Sequence, residues 1–139
     1  MNQRSRDWML IAIAEVAAGQ GTCQRLNVGA VISRNGRPIT LGYNGAPSGV
    51  DHCRHLLNET DGCELAVHAE ANAVAFAAKE GVRLNGAELH CTHEPCLKCA
   101  QLIVNAGIVR VVYVRRYRVH DGLELMNRAG LEVTCLPSR

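Results

Sequence analysis

The sequence predicts an α/β domain whose later strands run parallel. Three observations carry this. Aromatic residues make up only 4% of the 139 positions while the apolar fraction is 47%, so alanine, valine and leucine do most of the packing. That suits small-residue helix contacts better than an aromatic-rich sandwich. One hairpin signal stands early in the chain, and from about residue 87 onward strand-like and helix-like stretches alternate. Such alternation places consecutive strands side by side and parallel.

The elements follow in order. Trp8, Ile11 and Val16 recur at helical spacing and predict a first, amphipathic helix that ends near Gly19–Gly21. "VGAVISRNGRPITLGYNG" predicts a β-hairpin over residues 28–43, with Asn35-Gly36 supplying the turn. The polar segment "GAPSGVDHCRHLLNETDGC" is long for a connection inside a compact domain, which points to function, local cross-linking or both. "ELAVHAEANAVAFAAKEG", residues 64–81, reads as a buried central helix stopped by Gly81. Strands are expected over 87–92, 109–114 and 131–136. Between them lie helices over 95–107, opening on proline and closing on glycine, and over 121–130. No repeat, low-complexity stretch or linker interrupts the chain, and its length favours one domain over residues 1–139.

Composition removes several classes of function. A formal net charge of +2 is too mild to imply nucleic-acid binding. No stretch is long and apolar enough to span a membrane, and Glu15 interrupts the first apolar run, so it makes a poor export signal. Seven cysteines, an odd count, are then expected in a reducing cytoplasm, as free thiols or on metal.

The chemistry concentrates in "HAE", residues 68–70, and "PCLKC", residues 95–99. Cys96 and Cys99 are three apart and share a helix face, and Pro95 fits the first helical position. Both sulfurs then stand at the helix N-terminus, where unpaired N–H groups and the dipole favour thiolate. Two thiolates at that spacing are half of a tetrahedral zinc site, or else a redox pair. His68 and Glu70 do not share a helix face, but from a first turn both can converge just beyond the helix end. Read singly, they would be a core histidine and a surface glutamate. Together, His68, Cys96 and Cys99 offer three metal ligands, and a catalytic zinc leaves its fourth position to water. Glu70 would then be the general base.

The pattern His68-Ala69-Glu70 with Pro95-Cys96-Leu97-Lys98-Cys99 resembles the H-x-E…P-C-x-x-C signature of zinc-dependent nucleobase deaminases. Beyond it, "VGAVI", "GYNGAPSG", "HC" (52–53), "VHAEANAV", "THEPCLKCAQLI" and "AGI" make the chain similar to the deoxycytidylate (dCMP) deaminase family over nearly its whole length. The resemblance implies a three-layer α/β/α sandwich around a five-stranded mixed sheet. It implies hydrolytic conversion of dCMP to dUMP with release of ammonia, supplying thymidylate synthesis, with catalytic Zn2+ on His68, Cys96 and Cys99 and Glu70 moving protons. It implies a homo-oligomer, commonly a hexamer, activated by dCTP with Mg2+ and inhibited by dTTP. Asn44 is the implied sugar contact, and groups at Ala69 and Thr92–Glu94 would line the base pocket.

A 5′-phosphate needs cations, for which Arg25, Lys98, Arg115, Arg116 and Arg118 are candidates, and Tyr117 could pack on the pyrimidine or sugar. The same arginines could hold RNA. Some relatives carry a second, structural zinc, and Cys23 and Cys53 match positions used there; Cys63 and His52 would complete a set, the alternative being free thiols. Cys91 and Cys135 read as core residues, His90 as structural, His93 as shaping the pocket, and His120 as a cap or interface residue. Two other readings stay open. One is deamination of another base (cytidine, guanine or adenosine in tRNA), and the other a zinc-stabilised binding domain without catalysis.

Overall fold

The computed structural model describes residues 2–23, 26–52 and 65–137. The chain order is α1 (Gln3–Ala18), β1 (Gly29–Arg34), β2 (Arg37–Tyr43), α2 (Ala69–Glu80), β3 (Glu88–His93), α3 (Leu97–Asn105), β4 (Arg110–Arg115), α4 (Asp121–Arg128) and β5 (Glu132–Cys135). The strands form one sheet in the order β2-β1-β3-β4-β5. β1 pairs antiparallel with both β2 and β3, whereas β3, β4 and β5 are parallel, as the strand–helix alternation predicts. Asn35 and Gly36 take φ of 53° and 77°, the left-handed pair that a two-residue hairpin turn requires.

Residue alternation along the strands divides the core into two layers. Ala30, Ile32, Leu89, Cys91, Val111 and Tyr113 face one side and pack with Ala69, Ala73 and Ala77 of α2, Ile103 of α3 and Met126 of α4. On the other side, Val31, Val112 and Val114 meet Leu10, Ile11 and Ala14 of α1. The result is a three-layer α/β/α sandwich around a five-stranded mixed sheet. The scarcity of aromatics has a direct geometric outcome. At Gly42 an added Cβ would lie 2.6 Å from the backbone nitrogen of Ala73, so β2 runs against the first turn of α2 with no side chain between.

Two helices start later than the sequence predicts. Residues 65–68 are not helical because Val67 exchanges backbone hydrogen bonds with Gly45, 3.2 and 2.7 Å long, and is held as an isolated bridge. His68 is therefore the N-cap of α2. In the same way Cys96, with extended φ and ψ of −73° and 171°, is the N-cap of α3, and Pro95 stands just outside the helix. Cys96 and Cys99 thus occupy the cap and the third helical position.

α1 is fixed to the sheet by a buried charge network. The Asp7 carboxylate accepts two hydrogen bonds from Arg110, both 2.7 Å, and lies 2.8 Å from His90 Nε2. Burial alone would raise the Asp7 carboxyl, but the hydrogen bonds from Arg110, His90 and Gln3 outweigh it and hold its pKa at about 2. Burial lowers the pKa of His90, whose Nδ1 is buried without a partner among the described residues. A proton added there would be an unsatisfied buried donor. Both groups bind protons more readily when unfolded, so both withdraw stability as pH falls. The His90 contribution goes as pH drops below about 6.5, and that of Asp7 as pH drops from about 4 towards 2, the latter amounting to about 2 kcal/mol. Asp7→Asn should therefore cost on the order of 2 kcal/mol at neutral pH, because it removes the two short bonds to Arg110 and leaves that guanidinium only the longer pairs with Glu88 (3.4 Å) and Glu132 (3.3 Å). It should also flatten the loss below pH 4. Urea unfolding midpoints measured from pH 7 to 3 check this; parallel curves for wild type and variant would contradict it.

Candidate active site

Three chain segments meet at the ends of α2 and α3. The end of β2 is stitched to α2 by Thr40 Oγ1 donating to the Ala73 carbonyl (3.0 Å) and by Asn72 Nδ2 donating to the Tyr43 carbonyl (2.7 Å). These bonds, with the Gly45–Val67 bridge, set the position of His68. β3 delivers Glu94, Pro95 and Cys96 at its C-terminal end, and α3 follows directly.

His68 Nδ1 lies 3.4 Å from Cys96 Sγ and 3.4 Å from Cys99 Sγ. The three ligand atoms lie within 4.8 Å of one another, and among the described residues no fourth histidine, cysteine or carboxylate atom joins them. Tetrahedral zinc with ordinary Zn–N and Zn–S bonds needs an N···S separation of about 3.6 Å. The cluster fits such an ion with little adjustment. The thiol chemistry agrees. The Cys96 thiol is lowered to about 4, first by its hydrogen bond with Cys99 and then by His68. Cys99 is pushed the other way by Cys96 and by burial. Two sulfurs so close resist double ionisation unless a cation lies between them, and both stand at a helix N-terminus that favours thiolate.

Glu70, in the first turn of α2, is 4% exposed. Burial pushes its carboxyl up, against the opposing pull of a hydrogen bond with the Cys99 thiol. Its oxygens are not among the three grouped ligand atoms, so Glu70 stands in the helix turn that follows His68 without joining the cluster. An acid of raised pKa beside a metal site is suited to carry protons near neutral pH.

The remaining predicted residues divide. Ala69 is fully buried between His68 and Glu70. Thr92 is buried, and its Oγ1 accepts from the Gly29 N–H (3.2 Å) and sits 2.7 Å from His93 Nδ1. Burial, then the nearby Arg115 charge, lowers the pKa of His93. Asn44 holds the backbone of residues 26–28: its Oδ1 accepts from the Val28 N–H (2.7 Å) and its Nδ2 donates to the Leu26 carbonyl. The carboxylate of Glu94 is turned towards the segment after β4. Tyr117 is 43% exposed on that segment. Arg115 is exposed and pairs with Glu15 of α1 at 3.6 Å. Cys23 is buried and His52 exposed, while Arg25, Cys53 and Cys63 lie outside the described residues.

The fold adds a residue that sequence reasoning missed. A Cβ on Gly122, the second residue of α4, would lie 2.5 Å from the Pro95 carbonyl oxygen and 2.8 Å from the Cys96 carbonyl carbon. α4 therefore rests directly on the backbone of Cys96, one of the three candidate metal ligands. In the sequence, Asp121-Gly122 reads only as a helix start.

Comparison with known proteins places this geometry. The profile of the cytidine and deoxycytidylate deaminase zinc-binding region matches residues 2–115. The chain belongs to the cytidine and deoxycytidylate deaminase family. This deaminase is 40% identical over 126 residues to the deoxycytidylate deaminase of Mycobacterium phage D29, covering 81% of this chain and 97% of that one. It is 40% identical over 136 residues to ComE operon protein 2 of Bacillus subtilis, covering 96% and 72%. Its structure superposes on the dCMP deaminase of cyanophage S-TIM5, solved in complex with dCMP and dUMP, with a TM-score of 0.87 and 34% identity over 98% and 99% of the two chains. The cytidine deaminase-like fold expected from the resemblance is the fold observed. Among the described residues, no helix of the deaminase is long and apolar enough to cross a membrane.

Proposed function

We propose that this chain converts dCMP to dUMP by hydrolysis, releasing ammonia and supplying dUMP for thymidylate synthesis. One observation carries the reading: three converging ligand atoms, with a buried carboxyl, Glu70, in the first turn of the helix that His68 caps. His68, Cys96 and Cys99 would hold zinc, which polarises a water for attack on C4 of the cytosine. Glu70 then handles every proton. Its carboxylate takes one from the attacking water and delivers it to ring N3, then takes the proton of the new C4 hydroxyl and passes it to the departing C4 amine. A C4–O bond forms, the C4–N bond breaks, and the products are dUMP and ammonia.

Substrate positioning follows from the surrounding residues. Backbone groups at Ala69 and at Thr92–Glu94 border the pyrimidine. The second N–H of Asn44 Nδ2 is the group we assign to the sugar, since an amide nitrogen carries two donors. Arg115 and Arg25 are the proposed phosphate contacts. The exposed Arg115–Glu15 ion pair is worth little in water and gives way to a phosphate. Tyr117 packs on the sugar or base.

The family resemblance supports three further assignments: a homohexamer, activation by dCTP with Mg2+ opposed by dTTP, and a second structural zinc on Cys23, Cys53, Cys63 and His52. Two zinc ions per chain, and an activity that rises with dCTP and falls with dTTP, are the expected results. One zinc per chain in an active preparation, or flat activity with both nucleotides, would remove the corresponding assignment.

The substrate test is a panel of dCMP, deoxycytidine, cytidine, guanine and a tRNA hairpin, followed by ammonia release, with zinc counted in the same sample. dCMP should be turned over with the highest kcat/KM. Preference for cytidine, guanine or the hairpin would move the chain to another branch of the family.

A further inference from the structure

Glu94 lies two residues before Cys96, and its side chain is fully buried. A buried carboxylate has to be paired. Among the described residues, its hydrogen bonds run to the end of β4 and to the stretch that leaves it. Its backbone N–H donates to the Arg115 carbonyl (2.8 Å). Its Oε1 accepts from the Tyr117 N–H (3.4 Å), and His120 Nδ1 lies 2.8 Å from Oε2 and 3.1 Å from Oε1. Among the described residues, the one hydrogen bond made by positions 116–119 is that of Tyr117 to Glu94. The stretch carries Arg116, Tyr117 and Arg118, all exposed, and has Arg115 at its root. It leaves the C-terminal end of β4, beside the end of β3 that delivers Cys96.

We propose that Glu94 and His120 form a latch that holds residues 115–120 beside the metal cluster, so that their cations and Tyr117 meet the phosphorylated sugar of the substrate. Both are positioning residues: they act through the stretch they hold. The latch extends the role foreseen for Glu94 as a border of the base pocket, and it gives His120 one. It rests on the proposed activity, in that the ligand of the held stretch is the 5′-phosphate of dCMP. A nucleoside without that phosphate keeps only the Tyr117 contact and makes less use of the latch.

His120 is the residue to change, because it is half-exposed and its loss leaves no large cavity. Three proteins are compared: wild type, His120→Ala, and His120→Asn, whose amide nitrogen can reach the place of Nδ1. For each, kcat and KM are measured with dCMP and with deoxycytidine, and the rate of tryptic cleavage after Arg116 and Arg118 is followed. In His120→Ala the KM for dCMP should rise about tenfold, as for loss of a charge-assisted hydrogen bond, with kcat little changed. kcat/KM for deoxycytidine should fall severalfold less than that for dCMP, tryptic cleavage should accelerate, and His120→Asn should restore both readouts. A wild type that prefers dCMP and whose preference survives His120→Ala overturns the latch alone. Equal losses on both substrates also overturn it, since they mean a general structural role. A wild type indifferent to the phosphate contradicts the proposed substrate and takes the latch with it.

Discussion

Replacing Glu70 by glutamine should leave a folded, zinc-loaded protein whose kcat on dCMP has fallen on the order of 10³-fold. The amide has the same shape and fills the same buried place. It cannot carry a proton, so both transfers, to ring N3 and to the leaving amine, lose their vehicle. Stability should hold or rise slightly, because burial already disfavours the carboxylate at this position. The readouts are the thermal midpoint, zinc content and single-turnover rate, each on the same preparation. Loss of the metal would mean that Glu70 is a ligand. Ordinary turnover would mean that another group moves the protons.

Gly122→Ala should be nearly as damaging, by a different route. The new methyl would stand 2.5 to 2.9 Å from the Pro95 oxygen and the Cys96 carbonyl group. All of these are backbone atoms of the segment that carries a metal ligand, so relief must come by moving α4 or Cys96. Overpacking of this kind costs about 1–3 kcal/mol. Displacing a group that supports a metal ligand typically costs about 10- to 100-fold in metal affinity. The variant is expected to be purified with substoichiometric zinc and to regain activity when zinc is added in excess. Zinc titration against a chromophoric chelator measures the shift directly. An unchanged affinity would show that α4 yields and Cys96 stays.

The two variants mark what the sequence discloses and what it hides. The convergence of His68, Cys96 and Cys99 is legible because local spacing and helix position bring such residues to helix ends. Asn35-Gly36 is legible for the same reason, since two left-handed residues in a row leave few choices of side chain. The late starts of α2 and α3 are not: Val67 is drawn into a bridge with Gly45, a partner 22 positions away, and this tertiary bond overrides helix propensity. The Asp7–Arg110 pairing joins residues 103 apart, and nothing local announces it. Gly122 and Gly42 matter through what touches them, which no reading of their own neighbours reveals. The sheet order is half legible. Strand–helix alternation predicts parallel β3, β4 and β5, but not that β3 pairs antiparallel with β1 and so joins the hairpin to them.

His68, Cys96 and Cys99 are expected to hold one ion with a corner left for chemistry, and Glu70 to serve that corner. A crystal structure of the Glu70→Gln variant soaked with dCMP, with anomalous data at the zinc edge, tests this most directly. A zinc peak is expected at bonding distance from His68 Nδ1, Cys96 Sγ and Cys99 Sγ. No protein side chain should take the fourth position, and C4 of the cytosine should face it with the amide at position 70 beside N3. A fourth protein ligand on that zinc, or a cytosine bound away from it, would contradict the account.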